Sequence, residues 1–149
     1  MLDVRKFCQR ATIDILGWER GRAPLIDVVY LPTMCNQCDE APCVKASKDG
    51  AVYQRPDGIV IIDPRLAQGK KEIVSSCPYH AIWWNEERSV AQKWIFDAQL
   101  LDQGWKEPRC AQVCPTGAMR SLKAEDVEME QVVQSEALEV LNPEFGTKP

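Results

Sequence analysis

Seven cysteines carry most of the chemistry this sequence can do: Cys8, Cys35, Cys38, Cys43, Cys77, Cys110 and Cys114. The densest stretch is Cys35-Asn36-Gln37-Cys38-Asp39-Glu40-Ala41-Pro42-Cys43, a Cys-x2-Cys-x4-Cys loop. Bacterial ferredoxin runs read C-x2-C-x2-C-x3-C-P, and their fourth cysteine ligates the other cluster of a two-cluster protein. The loop here is a close variant. Three thiolates on one tight loop can reach three irons of a 4Fe-4S cubane, and the fourth iron then needs a ligand from a related half of the chain. Cys77, followed by Pro78, stands where that ligand belongs. Counting back from Cys77 in steps of three and four puts Ile73, Lys70 and Ala67 in the remaining positions of its own run, and none of them binds iron. Those positions would have shared a second cluster with position 47, and position 47 is Ser. Both contributions to the second cluster are missing together, and both contributions to the first are present. The spacing therefore predicts one 4Fe-4S cluster on Cys35, Cys38, Cys43 and Cys77.

Zinc competes for four thiolates, because a structural zinc site is also tetrahedral and sulfur-rich. Zinc ribbons usually pair two close CxxC knuckles, however, and no second knuckle is present. Cys110-Ala111-Gln112-Val113-Cys114-Pro115 reads as the tail of another cluster motif. Its upstream half would be Lys93-Trp94-Ile95-Phe96-Asp97, which offers Trp94 and Asp97 at CxxC spacing; Asp97 can bind iron and Trp94 cannot. Cys8, Cys110 and Cys114 fall one ligand short of a cluster, and whether they bind anything stays open. His80 reads as a turn residue, the tryptophans 83, 84, 94 and 105 as core or interface, and Lys70-Lys71 as a solvated helix face. The sequence contains no nucleophile elbow, phosphate loop, dinucleotide fingerprint or HExxH motif, so no catalytic residues are assigned.

The elements that must position these cysteines are short. Ala51–Gln54 and Ile59–Ile62 read as a hairpin around Arg55-Pro56-Asp57-Gly58, with Pro presetting φ and Gly accepting a positive φ. A short helix is expected after Asp63-Pro64, and a second hairpin from 81–84 and 89–91 through Asn85-Glu86-Glu87-Arg88. Residues 97–104 and 109–114 read as short helices. Residues 124–141 read as an acidic helix packing through Val127, Val132, Leu138 and Leu141, followed by an extended tail. Residues 1–34 show no clear period. Cys77-Pro78-Tyr79-His80-Ala81-Ile82 and Cys114-Pro115-Thr116-Gly117-Ala118-Met119 share Cys-Pro-x-x-Ala-apolar, and Ser47-Lys48-Asp49-Gly50-Ala51-Val52 keeps the same frame. Each corner is expected to end a short helix and begin a strand. The fold class is α+β: a bacterial ferredoxin-like, pseudo-twofold 4Fe-4S domain with short hairpins and helices and partly degenerate cluster motifs. Its boundaries are an N-terminal extension 1–34 packing on a partner or the core, the cluster domain 35–122, and an acidic helix with an extended tail at 123–149.

At the scale of the chain, 149 residues with 45% hydrophobic and 27% charged content suit one small globular domain. A net charge of −4 argues against a nucleic-acid partner. An odd cysteine count excludes complete pairing in disulfides. No apolar h-region or twin-arginine pair opens the sequence, and no apolar run is long enough to span a bilayer. The expectation is a cytoplasmic protein without membrane insertion.

From Pro32 to Leu122 the chain resembles the iron–sulfur (small or β) subunits of the molybdopterin oxidoreductase family, the group that includes dimethyl sulfoxide reductase. The residues that carry this are Cys35 to Cys43 with Ala41-Pro42, the run 49–60, Gly69-Lys70-Lys71-Glu72, Cys77-Pro78-Tyr79 and Trp84-Asn85-Glu86-Glu87. Within the family they look most like the small subunits of the pyrogallol–phloroglucinol transhydroxylase and resorcinol hydroxylase branch. The tail Asn142–Pro149 also resembles a family segment. The resemblance implies docking on a large catalytic subunit that carries bis-molybdopterin guanine dinucleotide, and exchange with an external electron carrier. Family members typically carry three or four cubanes. Here the N-terminal cluster is reduced to Cys8, the second-half ligands are Ala67, Lys70 and Ile73, and 93–97 lacks its CxxC. The C-terminal extension of some relatives is not expected. The function expected is electron transfer to or from a hydroxylase or transhydroxylase of phenolic compounds. A structural subunit with a fold-stabilising cluster and a free ferredoxin-like carrier are the alternatives.

Overall fold

Three separate two-stranded antiparallel hairpins organise the described residues. The computed structural model describes residues 14–117, 119–121, 126–135 and 146. The first hairpin joins β1 (Asp14–Arg22) to β2 (Leu25–Thr33), paired from Asp14↔Thr33 to Arg22↔Leu25. Sequence reading gave this stretch no element. Gly21 is required there: its φ is +98°, and a Cβ would lie 2.3 Å from the Leu25 carbonyl oxygen. The Arg20–Asp27 ion pair, 2.8 Å, ties the next rung. Among the described elements β1 and β2 pack chiefly on each other. Leu25, Ile26 and Val28 near the tip are exposed.

The second hairpin, β3 (Val52–Gln54) with β4 (Val60–Ile62), forms where Pro-Asp-Gly placed it. Gly58 has φ +82° and donates its N–H to the Arg55 carbonyl at 3.0 Å, while Arg55 N–H reaches Ile59 O at 2.9 Å. Arg55 also grips Asp102 with two nitrogens at 2.7 and 2.9 Å, which fastens this turn to α2 (Ala98–Leu101). The third hairpin pairs β5 (Trp83–Asn85) with β6 (Val90–Gln92). It begins two residues later than expected, because Ala81 and Ile82 are buried in the preceding corner.

Among the described residues the helices are α1 (Pro42–Ala46), α2, α3 (Arg109–Val113) and α4 (Asp126–Ser135), with a 3₁₀ helix at Lys71–Ser76. The helix expected after Asp63-Pro64 is a single turn instead. Asp63 Oδ1 accepts the N–H groups of Arg65 and Leu66 at 2.8 and 3.4 Å, and Ala67 N–H closes onto Asp63 O. Gly69, with φ +77°, then donates to Ser89 O at 2.8 Å and draws the chain across to β6. The acidic helix is described only over α4, where Val127 is 66% exposed and Val132 half-buried. Leu138 and Leu141 lie outside the described residues, as do 1–13.

The repeated corners share one geometry. Ser47, Cys77 and Cys114 are the C-caps of α1, the 3₁₀ helix and α3. Each carbonyl accepts an N–H from three residues on: Gly50, His80 and Gly117 at 3.3, 3.2 and 3.2 Å. All three donors have positive φ, +76°, +55° and +66°. The first two corners lead into β3 and β5; the third is followed by no strand among the described residues. His80, exposed, is thus a turn residue as expected. The core lies between the second and third hairpins, where Ala51, Val52, Val60, Ile62, Ala67, Ile73, Ile82, Val90 and Ala91 pack with Cys38 and Cys43. Each buried Val or Ile there contributes roughly 1.5–3 kcal/mol. No described helix is long and apolar enough to cross a membrane.

Candidate metal centre

The loop from Cys35 to Cys43 links β2 to α1, and two local devices shape it. Gln37 adopts φ +51°, turning the backbone between Cys35 and Cys38. Pro42 opens α1, where its missing N–H is no loss because the first helical amides have no intrahelical partner. Cys35, Cys38 and Cys43 are each 8% exposed. Cys77 arrives half-buried at the end of the 3₁₀ helix. These four thiols line one cavity together with Asn36, Val60, Tyr79, Ile82 and Lys93. None of the described cysteines is in a disulfide.

Electrostatics and hydrogen bonding describe what this cavity suits. Burial pushes the Cys43 thiol up from 9.0 to about 11; the neighbouring Cys35 and Cys77 raise it further and Lys93 opposes them. Thiolates here repel one another unless cationic metal sits among them. Among the described residues no three Cys, His, Asp or Glu side chains are placed to share one metal ion. A single zinc needs its thiolates ~2.3 Å from a common point, whereas a cubane takes each thiolate on its own iron, around a cavity. Asn36 Nδ2 is buried with no hydrogen-bond partner, an arrangement costing about 1–3 kcal/mol if left so. An orphan donor and an ammonium beside four thiols fit an anionic sulfur-rich cluster.

A clasp of side chains holds the cavity wall. Arg55 N–H to Ile59 O and Asp63 N–H to Ala51 O bracket the β3–β4 ladder, so the alternation of antiparallel pairing leaves Val60 with its N–H and C=O pointing off the hairpin. Val60 N–H is taken by Gln37 Oε1 at 2.8 Å, and Val60 O by Lys93 Nζ at 2.5 Å. Gln37 Nε2 and Lys93 Nζ both also donate to Trp94 O, at 3.0 and 3.1 Å. Two side chains therefore bind the cysteine loop, β4 and the segment after β6 into one unit.

The positions of a second cluster are occupied by other work. Ala67 and Ile73, 0% and 6% exposed, belong to the core. Lys70 is ion-paired with Asp49 and Lys71 with Glu86, so the pair is not the merely solvated face expected. Ser47 Oγ accepts Val52 N–H at 2.9 Å, capping the outer edge of β3. Asp97 Oδ2 accepts Arg109 N–H at 2.8 Å at the start of α3. Cys110 is half-buried, its thiol pushed up by burial and then by Asp97 and Cys114. Cys114 Sγ accepts Met119 N–H at 3.5 Å. Cys8 lies outside the described residues. Sequence reading missed Asn36, Gln37 and Lys93: the first two were spacers between ligands, and a lysine beside a strand has no pattern marking it as buried.

Residues 26–124 match the family described as a 4Fe-4S dicluster domain. The chain is 52% identical over 134 residues to the pyrogallol hydroxytransferase small subunit of Pelobacter acidigallici, covering 88% of this chain and 48% of that protein. It is 33% identical over 144 residues to a tetrathionate reductase subunit of Salmonella typhimurium, with 94% and 57% covered. It is 30% identical over 131 residues to the thiosulfate reductase electron transfer subunit of Salmonella typhi, with 88% and 68% covered. The chain thus spans about half the length of the first two relatives and about two-thirds of the third. A family match over most of the chain, a thiol-lined cavity and relatives that are themselves subunits of a hydroxytransferase and of reductases agree, and the chain belongs to the 4Fe-4S dicluster family, among the iron–sulfur subunits of the molybdopterin oxidoreductases.

Proposed function

We propose that this chain is the electron-transfer subunit of a molybdopterin-dependent hydroxylase or transhydroxylase of phenolic compounds, with one 4Fe-4S cluster held by Cys35, Cys38, Cys43 and Cys77. The observation that carries the single cluster is the contrast between two places. Four thiols line one cavity, while the alternate positions hold packed Ala67 and Ile73, ion-paired Lys70 and strand-capping Ser47. The family's description names two clusters, and this chain keeps the residues of one. A cubane bound there supplies one-electron chemistry. The chain's own residues hold its irons, exclude water with Val60, Tyr79 and Ile82, and present the Asn36 amide. The two matching corners at Ser47 and Cys77 support a pseudo-twofold relation between the halves. The partner with bis-molybdopterin guanine dinucleotide and the phenolic substrate class rest on the resemblance, the substrate class chiefly on the Pelobacter relative, and the complex is proposed to work in the cytoplasm.

Anaerobic isolation with metal and sulfide analysis tests this reading. About four irons and about four sulfides per chain are expected, with an EPR signal on reduction that Cys77→Ala abolishes. About eight irons overturn the single cluster, and zinc without sulfide overturns the cluster. A second reading is favoured by Cys38 and Cys43 packing inside the core: a cluster that staples the fold. Complex turnover unchanged by loss of a reducible cluster would select it.

A further inference from the structure

Lys93 is the one buried charged residue among those described, 3% exposed. It has no carboxylate partner among the described residues. Its Nζ donates to the carbonyls of Val60 and Trp94, and it lines the cavity with the four thiols. Burying an ammonium without a counter-charge is costly, and buried charges in proteins are found paired. Its two hydrogen-bond acceptors are neutral carbonyls, which carry no counter-charge. The positive charge itself therefore needs a partner, and the only ionisable acids among the residues lining that cavity, apart from the Tyr79 phenol, are the thiols.

We propose that Lys93 sets the cluster's reduction potential, as a fixed internal cation that raises it. Adding an electron makes a thiolate-ligated cluster more negative. A cation held at low dielectric beside it stabilises the reduced form more than the oxidised form. The clasp with Gln37 prevents the ammonium from swinging to water, because Val60 O and Trp94 O fix its position from two elements. Lys93 is a positioning and electrostatic residue, not a ligand. This inference rests on the cluster reading above.

The test is an EPR-monitored potentiometric titration of the full chain, isolated anaerobically with its cluster, for wild type, Lys93→Met, Lys93→Gln and Lys93→Arg. At the wild-type midpoint, the reduced-to-oxidised ratio in Lys93→Met and Lys93→Gln is expected to fall about tenfold, a midpoint lower by about 59 mV for a one-electron couple. Lys93→Arg, which keeps the charge, is expected to remain near wild type. An unmoved midpoint in the neutral variants overturns the inference, and so does an equal shift in Lys93→Arg. Should the neutral variants lose iron, retention by Lys93→Arg upholds a need for the charge, and its loss there makes Lys93 a structural clasp only. A wild type without iron and sulfide removes the cluster reading itself, a result distinct from a loaded wild type with insensitive variants.

Discussion

Position 47, where the cysteine frame would place a ligand, carries a structural group. Ser47 Oγ accepts Val52 N–H and donates to Asp49 Oδ1 at 3.0 Å, and Asp49 also accepts Ala51 N–H and pairs with Lys70. The serine in a cysteine frame was legible. Its new partners were not, since Lys70 is 21 residues beyond Asp49 and only the fold brings it back. The Lys70 hydrogen bond, then the Ala51 amide and the Ser47 hydroxyl, lower the Asp49 carboxyl from 3.8 to about 2. A carboxyl depressed in the folded state stabilises the fold fully above its unfolded pKa, and the gain disappears as pH falls through the folded value. Urea unfolding should therefore show wild type more stable than Asp49→Asn at pH 6. The gap should narrow below pH 3.8 and close near pH 2, within the window set by the two values. A gap independent of pH would mean that Asp49 acts by geometry alone. Because Asp49 is solvent-facing, the effect is small and screened by salt.

Elements were legible where a turn residue imposed them and obscure where tertiary contacts decided. Pro56-Asp57-Gly58 fixed the second hairpin within one residue at each strand end. The three corners were visible as a repeat because a left-handed residue must precede the alanine, and Gly50 and Gly117 supply it at little cost. The helix after Asp63 was misread because its capping aspartate is real, but Gly69 leaves helical space and hydrogen-bonds to Ser89. The β1–β2 arm was missed because its strands carry no clean alternation; Gly17, Arg20 and Asp27 interrupt the pattern. At the second hairpin the cost of losing a turn residue is measurable. A Cβ at Gly58 meets nothing within 4 Å, so Gly58→Ala suffers only from the positive φ. That amounts to about 1 kcal/mol, lowering Tm by a few degrees with iron content unchanged. A larger loss accompanied by loss of iron would show that this turn also shapes the cavity.

Scaled to the whole molecule, the site and the core are the same object. Cys38 and Cys43 pack among Val52, Val60 and Ile82, and the strands they touch are three residues long in sheets of two. A two-stranded hairpin alone is marginal in water. Cluster binding free energy would therefore be folding free energy for this region, as it is for structural metal domains. The cysteine spacing made the candidate centre legible, but not this dependence, which follows from how few apolar residues the described core contains. The β1–β2 arm, packed chiefly on itself, should be indifferent to the cluster. Stripping iron anaerobically with ferricyanide and a chelator should then unfasten β3–β6 selectively. Amide exchange at Val60, whose N–H is held by Gln37 of the cysteine loop, should accelerate about a hundredfold or more, the equivalent of ~2.7 kcal/mol of local stability. Amides of β1 and β2 should change little. Equal acceleration in both regions would mean that the chain unfolds as one unit, and unchanged protection at Val60 would show that the core stands without its cluster.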